Sequence, residues 1–237
     1  MFLPQLLLIE TSTEVCSVAL SRGTDIIAER IIKEPKAHAR IIGNFIEEVL
    51  KEASSSVAAC RAIVVSEGPG SYTGLRVGVS IAKGLCYGSG IPMIAVSSLE
   101  LLARLCAESG EMPNGELTIA PMIDARRMEV YTCRYNRNCT PVSKTEALVL
   151  DENSFSEELS AGPVIFTGDG AKKTSELIKH PNAIFRFMDA SARGMAVPAF
   201  EKFNKKEFVD TAYFEPFYLK DFVAGVSKKS FFKIPEA

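Results

Sequence analysis

The succession of apolar periodicities in this chain occurs twice, and that repeat restricts the fold more than any other feature. Apolar runs predict strands at 6–10 ("LLLIE"), 14–21 ("EVCSVALS") and 25–32 ("DIIAERII"), and a 3.6-residue stripe predicts a helix over 38–53. A strand at 61–67, a helix over 73–88, a strand at 92–97 and a helix over 98–108 complete the first pass. The polar segment "ESGEMPNGE" (108–116) then breaks the pattern. Strands at 117–124, 129–136 and 143–150, a helix near 153–160, a strand at 163–168, a helix over 171–179, a short strand at 183–187 and a helix near 195–205 follow in the same order. The passes open alike: Ile9-Glu10 precedes Glu14-Val15, and Ile123-Asp124 precedes Glu129-Val130, each an acid at the end of a first strand before a turn.

Two βββαβαβα units with matching strand-end acids predict a duplicated α/β fold of the ribonuclease H-like, actin-like (ASKHA) class, with subdomains over 1–110 and 111–237. A chain of 237 residues, 47% of them hydrophobic, can bury the cores this needs. Its net charge of −2 lacks the basic footprint of an autonomous nucleic-acid binder, so tRNA contact is expected only through a complex. No run approaches the roughly 18 apolar residues of a membrane span, and "MFLPQLLLIE" reads as a first core strand, not a signal peptide. Six dispersed cysteines without a C-x-x-C pair predict a reduced, cytoplasmic protein.

The segment "EGPGSYTGLR" joins a strand to a helix through glycines at 68, 70 and 74. The third glycine falls one position late for G-x-G-x-x-G, and no Lys-Ser/Thr closes a P-loop. Freed backbone N–H groups ahead of a helix N-terminus still suit an anion, while a plain strand-to-helix turn explains the same residues. Gly68 and Gly70 are expected at positive φ around Pro69, with Ser71 or Thr73 as the helix cap. A nucleotide cleft of the actin-like kind would use Glu10, Thr11, Ser12, Gly68, Gly70, Ser71 and Asp124, with Glu10 and Asp124 holding a water or magnesium through the nucleotide; both acids fit turn-capping roles equally well. Arg126 and Arg127 suit either a phosphate or a solvated turn. The only histidines, His38 and His180, make no metal motif; His38 reads as a surface or capping residue, and no G-x-S-x-G elbow is present.

Along the helix over 73–88, Gly74, Gly78 and Ala82 recur at i, i+4 and i+8. Each interior glycine costs about 0.5–1 kcal/mol against alanine, so this ridge predicts a closely approaching backbone. A helix of the same chain or of another subunit satisfies that demand, and the second is favoured because the helix is apolar nearly all round.

The segments "LLLIETSTEVCSVAL", "SEGPGSYTGLRVGVSIAKGL", "IPMIAVSSLELLA", "MIDARRMEVY" and "FEPFYLKDFVA" resemble, in order and over nearly the whole chain, the TsaB (YeaZ) family of bacterial proteins. The resemblance implies an actin-like fold and a role in making N6-threonylcarbamoyladenosine (t6A) beside the tRNA anticodon. It implies that TsaD, a paralogue of the same fold, carries the metal and the transfer site, with this chain as its partner and TsaE as an associated ATPase. It further implies that the helices matching 38–53 and 73–88 pair with TsaD or with a second copy as a homodimer. The expected interface residues are His38, Ile42, Phe45, Tyr72, Gly74, Leu75, Gly78, Val79 and Ala82.

The paralogue carries its metal pair as V-N-H-x-E-G-H; the matching stretch here is Val96-Ser97-Ser98-Leu99-Glu100-Leu101-Leu102. Ser98 and Leu102 stand in the histidine positions, and leucine cannot ligate a metal. An inactive homologue is expected, with no catalytic or metal-binding residue and no cofactor required by the chain itself, although ATP or ADP with Mg is compatible with the complex. The rival reading is an ATPase acting alone; a glycoprotease-type peptidase has no nucleophile or metal set to use. The tail "SKKSFFKIPEA" is basic and aromatic, fitting a contact or a disordered end.

Overall fold

The structure, a computed structural model, describes residues 3–34 and 37–220; the tail "SKKSFFKIPEA" lies outside them. Each pass folds into one five-stranded mixed sheet. In the first, β1 (Gln5–Glu10), β2 (Val15–Arg22) and β3 (Asp25–Lys33) form an antiparallel meander. β4 (Ala62–Gly68) adds parallel to β1, and β5 (Met93–Ser97) parallel to β4, giving the order β3-β2-β1-β4-β5. The second sheet, from β6 (Thr118–Asp124), β7 (Glu129–Thr132), β8 (Glu146–Val149), β9 (Val164–Thr167) and β10 (Ala183–Arg186), has the order β10-β9-β6-β7-β8, the same topology read from its other end. The duplicated α/β fold is therefore the one the repeat predicts.

β7 and β8 are shorter than their apolar runs. The ladder stops at Thr132 because the Arg134 backbone N–H turns to the Ser143 hydroxyl (2.9 Å), and Tyr135 makes only isolated bridges to Ile119 and Pro141.

Helices cover both sheets. α1 (His38–Glu52) and α2 (Tyr72–Ser89) lay Ile42, Ile46, Val49, Val79 and Ala82 on Leu7, Ile9, Val18, Ile63 and Val65, the outer face of the first sheet. The alternate residues Leu6, Leu8, Val64 and Val96 join α3 (Ser98–Glu108) and Ile119, Ile123 and Ile165 of the second sheet in one cluster shared by both halves. Burial on both faces is why "LLLI" contains no polar residue. Outside the second sheet, α4 (Ser156–Ala161) and α5 (Ala171–Leu177) complete a third cluster around Phe166.

α6 (Ala196–Lys205) closes the second pass yet crosses back to the first half, where Lys202 Nζ donates to the Ala95 carbonyl (2.7 Å). A strap continues from it along the first half. Val209 N donates to Met93 O (3.0 Å), Lys83 Nζ to Ala212 O (3.0 Å) and Phe217 N to Glu67 O (2.7 Å), and Phe214 packs against the outer core. Among the described residues no helix is long and apolar enough to cross a membrane. All six cysteines are free and buried, and burial pushes the Cys16 thiol up to about 12.

Candidate functional site

The β1–β2 turn sits directly beneath the loop that opens α2. Glu10 is fully buried, and its Oε1 accepts both the Ser12 backbone N–H (2.6 Å) and the Ser12 hydroxyl (2.5 Å). Its Oε2 has no hydrogen-bond partner among the described residues, and burial pushes the carboxyl above its ordinary range against the opposing pull of Ser12 and Ser66. Ser12 O accepts the Ser71 N–H (2.7 Å), tying the turn to the glycine loop. Gly68 has φ +111°, as expected. Gly70 is not at positive φ; it is small because a Cβ there would lie 2.3 Å from Ser12 O. Ser71, not Thr73, is the cap: its Oγ accepts the Gly74 N–H (3.3 Å).

Of the residues expected in a nucleotide cleft, Glu10, Thr11, Ser12 and Gly68 are buried and the Ser12 N–H is bonded to the Glu10 carboxyl, whereas Gly70 is half-buried and Ser71 is exposed. Asp124, the matching acid of β6, is exposed and holds a turn: its Oδ1 accepts from the Arg126 N–H (2.6 Å) and Lys173 Nζ (2.9 Å). Lys173 also donates to the Arg127 and Glu129 carbonyls, so it fastens a turn in which Arg126 and Arg127 are both left-handed, at φ +67° and +52°.

The glycine ridge of α2 also faces inward. A Cβ on Gly74 would stand 2.1 Å from Thr11 O, and one on Gly78 would stand 2.3 Å from Thr11 Oγ1. The close backbone that the ridge demands is thus the β1–β2 turn of the same chain. Leu75, Val79, Ala82 and Ile42 are buried with it, and His38 is no surface residue: its Nε2 donates to the Val15 carbonyl (3.1 Å). Of the nine expected interface residues, only Phe45 and Tyr72 reach the surface, both half-buried.

The accessible side of these helices was missed. A groove of about 490 Å³ runs along α2 beside the start of α1, lined by Ala39, Tyr72, Arg76, Val77, Ser80 and Ile81. Arg76 donates to the Tyr72 hydroxyl (2.8 Å) and lies 5.4 Å from that ring's centre. Tyr218, on the strap, brings its ring to 4.8 Å from Tyr72. Farther along α2, Tyr87 is 93% exposed, and among the described residues nothing beyond the helix's own backbone lies within 4 Å of a Cβ built on Gly84, Gly88 or, in α1, Gly43. A signal for this face was present: Ser80, Gly84 and Gly88 form a second i, i+4, i+8 stripe.

A second concavity, about 370 Å³, opens between the halves, with Glu67 and Glu100 from one side and Tyr135, Ser143 and Thr145 from the other. Burial raises both carboxyls, opposed by Lys202 and, at Glu100, by Arg104.

A family model described as TsaD, tRNA N6-adenosine threonylcarbamoyltransferase, matches residues 25–233. The tRNA threonylcarbamoyladenosine biosynthesis protein TsaB of Escherichia coli (strain K12) is 31% identical over 228 residues, covering 93% of this chain and 96% of that protein. The chain belongs to the TsaB family. The TsaB of Bacillus subtilis (strain 168) is 33% identical over 223 residues, covering 91% and 93%. YeaZ from Pseudomonas aeruginosa superimposes with a TM-score of 0.78 at 26% identity, over 91% of this chain and all of that one. In this TsaB-family chain Ser98 and Leu102, the residues expected in the histidine positions, are buried in α3. Among the described residues no group of three or more His, Cys, Asp or Glu could hold a metal ion.

Proposed function

We propose that this protein is a component of t6A biosynthesis that has no transfer chemistry of its own and works by binding and activating TsaD, together with TsaE, through the outer face of α1 and α2. The observation that carries the docking surface is the set of open glycines. Gly43, Gly84 and Gly88 lie inside helices, where each costs about 0.5–1 kcal/mol relative to alanine, and beyond the helix's own backbone no atom of the described residues lies within 4 Å of their Cβ positions. A second polypeptide lying close against the helices gives these positions a use, and Val77, Ile81 and Tyr87 beside them supply apolar contact. The same face serves a second copy when TsaD is absent. The family relationship supports the pathway, and tRNA is reached through the complex.

The test mixes the full chain with TsaD and TsaE and measures complex mass and threonylcarbamoylation of unmodified tRNA. Tyr87→Glu and Gly84→Leu, on the exposed side, abolish both while leaving the thermal unfolding of the isolated protein nearly unchanged. Undiminished complex formation in both variants would refute the docking surface. Steady ATP turnover by the isolated protein, lost in Glu10→Ala, would favour the rival ATPase instead.

A further inference from the structure

We infer that Arg126 and Arg127, at the tip of the β6–β7 hairpin, bind the phosphate backbone of tRNA when this chain is part of its complex; that setting rests on the function proposed above. The inference starts from a conformation that these residue types do not favour. Both arginines are left-handed, at φ +67° and +52°. Two successive positive φ values are what the tightest hairpin turns require, and Asn-Gly or Asp-Gly supplies them with least strain. Arg-Arg breaks that rule, and a local rule broken without a packing gain marks a functional position. No such gain is present here: both side chains are exposed, and neither has an ion pair among the described residues.

The turn is held rigid from beneath. Ala125 N donates to Glu129 O (3.0 Å) and Arg126 N to Asp124 Oδ1 (2.6 Å). Lys173 Nζ donates to Asp124 Oδ1 (2.9 Å), Arg127 O (2.8 Å) and Glu129 O (2.6 Å), so this lysine is engaged with the turn while the two guanidinium groups are left to solvent. A fixed backbone lowers the ordering cost of a bidentate guanidinium–phosphate contact.

The neighbouring acids do not oppose an anion. Asp124 is paired with Lys173, and Glu129 with Lys220. The Asp169 carboxyl, which accepts the Asp124 N–H (2.9 Å), is raised by burial and is correspondingly less charged. Tyr131 stands close by: burial raises its phenol, and the charges of Lys220 and Arg126 pull it back. With Met128, 42% exposed, it offers apolar surface beside the cations for a ribose or an unstacked base. An exposed tip suits a backbone passing over it, whereas a small anion needs a pocket. The chain as a whole carries −2, so this island is too small to hold RNA alone at physiological salt and adds to a partner's contacts.

Two measurements test this with the full chain. Arg126→Asn with Arg127→Gly gives the turn the residues its backbone prefers. The isolated double variant unfolds at a temperature no lower than that of the unaltered chain and forms a complex of the same mass with TsaD and TsaE. The tRNA affinity of that complex falls about tenfold, and the slope of log affinity against log salt becomes shallower by about 1.4, the share of two phosphate contacts to single-stranded RNA. Arg126→Lys with Arg127→Lys restores the slope. Unchanged affinity and slope in the Asn-Gly variant would overturn the inference, whereas failure of the unaltered chain to form a complex refutes the proposed function instead. The second measurement reads the site in either case. A photoreactive benzophenone amino acid at Met128 is irradiated with tRNA in the complex and, at low ionic strength, with the chain alone. The expected product is an RNA adduct that disappears in the Asn-Gly variant. Adducts only to TsaD or TsaE, no RNA adduct in either sample, or an RNA adduct abolished by millimolar ADP with magnesium would assign the arginines elsewhere and overturn the inference.

Discussion

Gly74 and Thr11 share one space: the Cβ that alanine would add at 74 falls 2.1 Å from the Thr11 carbonyl oxygen, a separation no packed side chain tolerates. The neighbour is backbone at the end of a central strand and cannot swing aside. Gly74→Ala therefore lowers stability by about 1–3 kcal/mol in spite of alanine's better helix propensity. Chemical denaturation reads the shift in midpoint.

Gly84→Ala gives the opposite sign. Among the described residues nothing beyond the helix's own backbone lies within 4 Å of the added methyl, so the isolated protein gains about 0.5–1 kcal/mol. If the outer face receives TsaD, the same variant binds it more weakly. A change that stabilises the protein while weakening its complex separates interface from core, and calorimetry of folding and of binding measures the two effects.

Glu10 makes stability fall with rising pH. Its folded carboxyl is raised above the ordinary 4.5 by burial, so the folded state holds a proton that the unfolded state releases. Stability from this group is greatest below pH 4.5 and declines as pH climbs from there through the raised folded value. Glu67 and Glu100 contribute with the same sign. Glu10→Gln keeps an acceptor for Ser12 and removes the ionisation, so its melting temperature exceeds that of the unaltered protein more at pH 8 than at pH 5. Thermal melts across that range report the difference.

Ser71→Ala removes the α2 cap. The Gly74 N–H loses its acceptor at a cost of about 1 kcal/mol, which for a chain of this size corresponds to a melting temperature lower by about 2–4 °C.

The repeat itself was legible because strand and helix periods differ, and both passes have clean apolar runs. Periodicity also identified which face of α2 is small. It could not say what that face touches, since Thr11 lies 63 residues before Gly74 and only the folded β1–β2 turn brings them together. The same limit hid Glu67 and Glu100 at the joint, whose neighbours come from the other half of the chain. It also hid the outer groove, because inward glycines (74, 78) and outward ones (84, 88) look identical as letters; only the presence or absence of an atom over each Cβ distinguishes them.

The return of α6 to the first half sets an order on synthesis. When the ribosome has made the first hundred or so residues, all five strands of the first sheet exist, but Ala192, Met195, Ala196 and Ala199, which share the inner core with Leu6, Leu8, Val64 and Val96, do not. At about 5–20 residues per second the stretch through Ala199 takes roughly 5–20 s to appear. For that interval the inner face of the nascent sheet is uncovered apolar surface. The two halves, though copies in pattern, therefore mature together, and a chain halted between them is a substrate for chaperones.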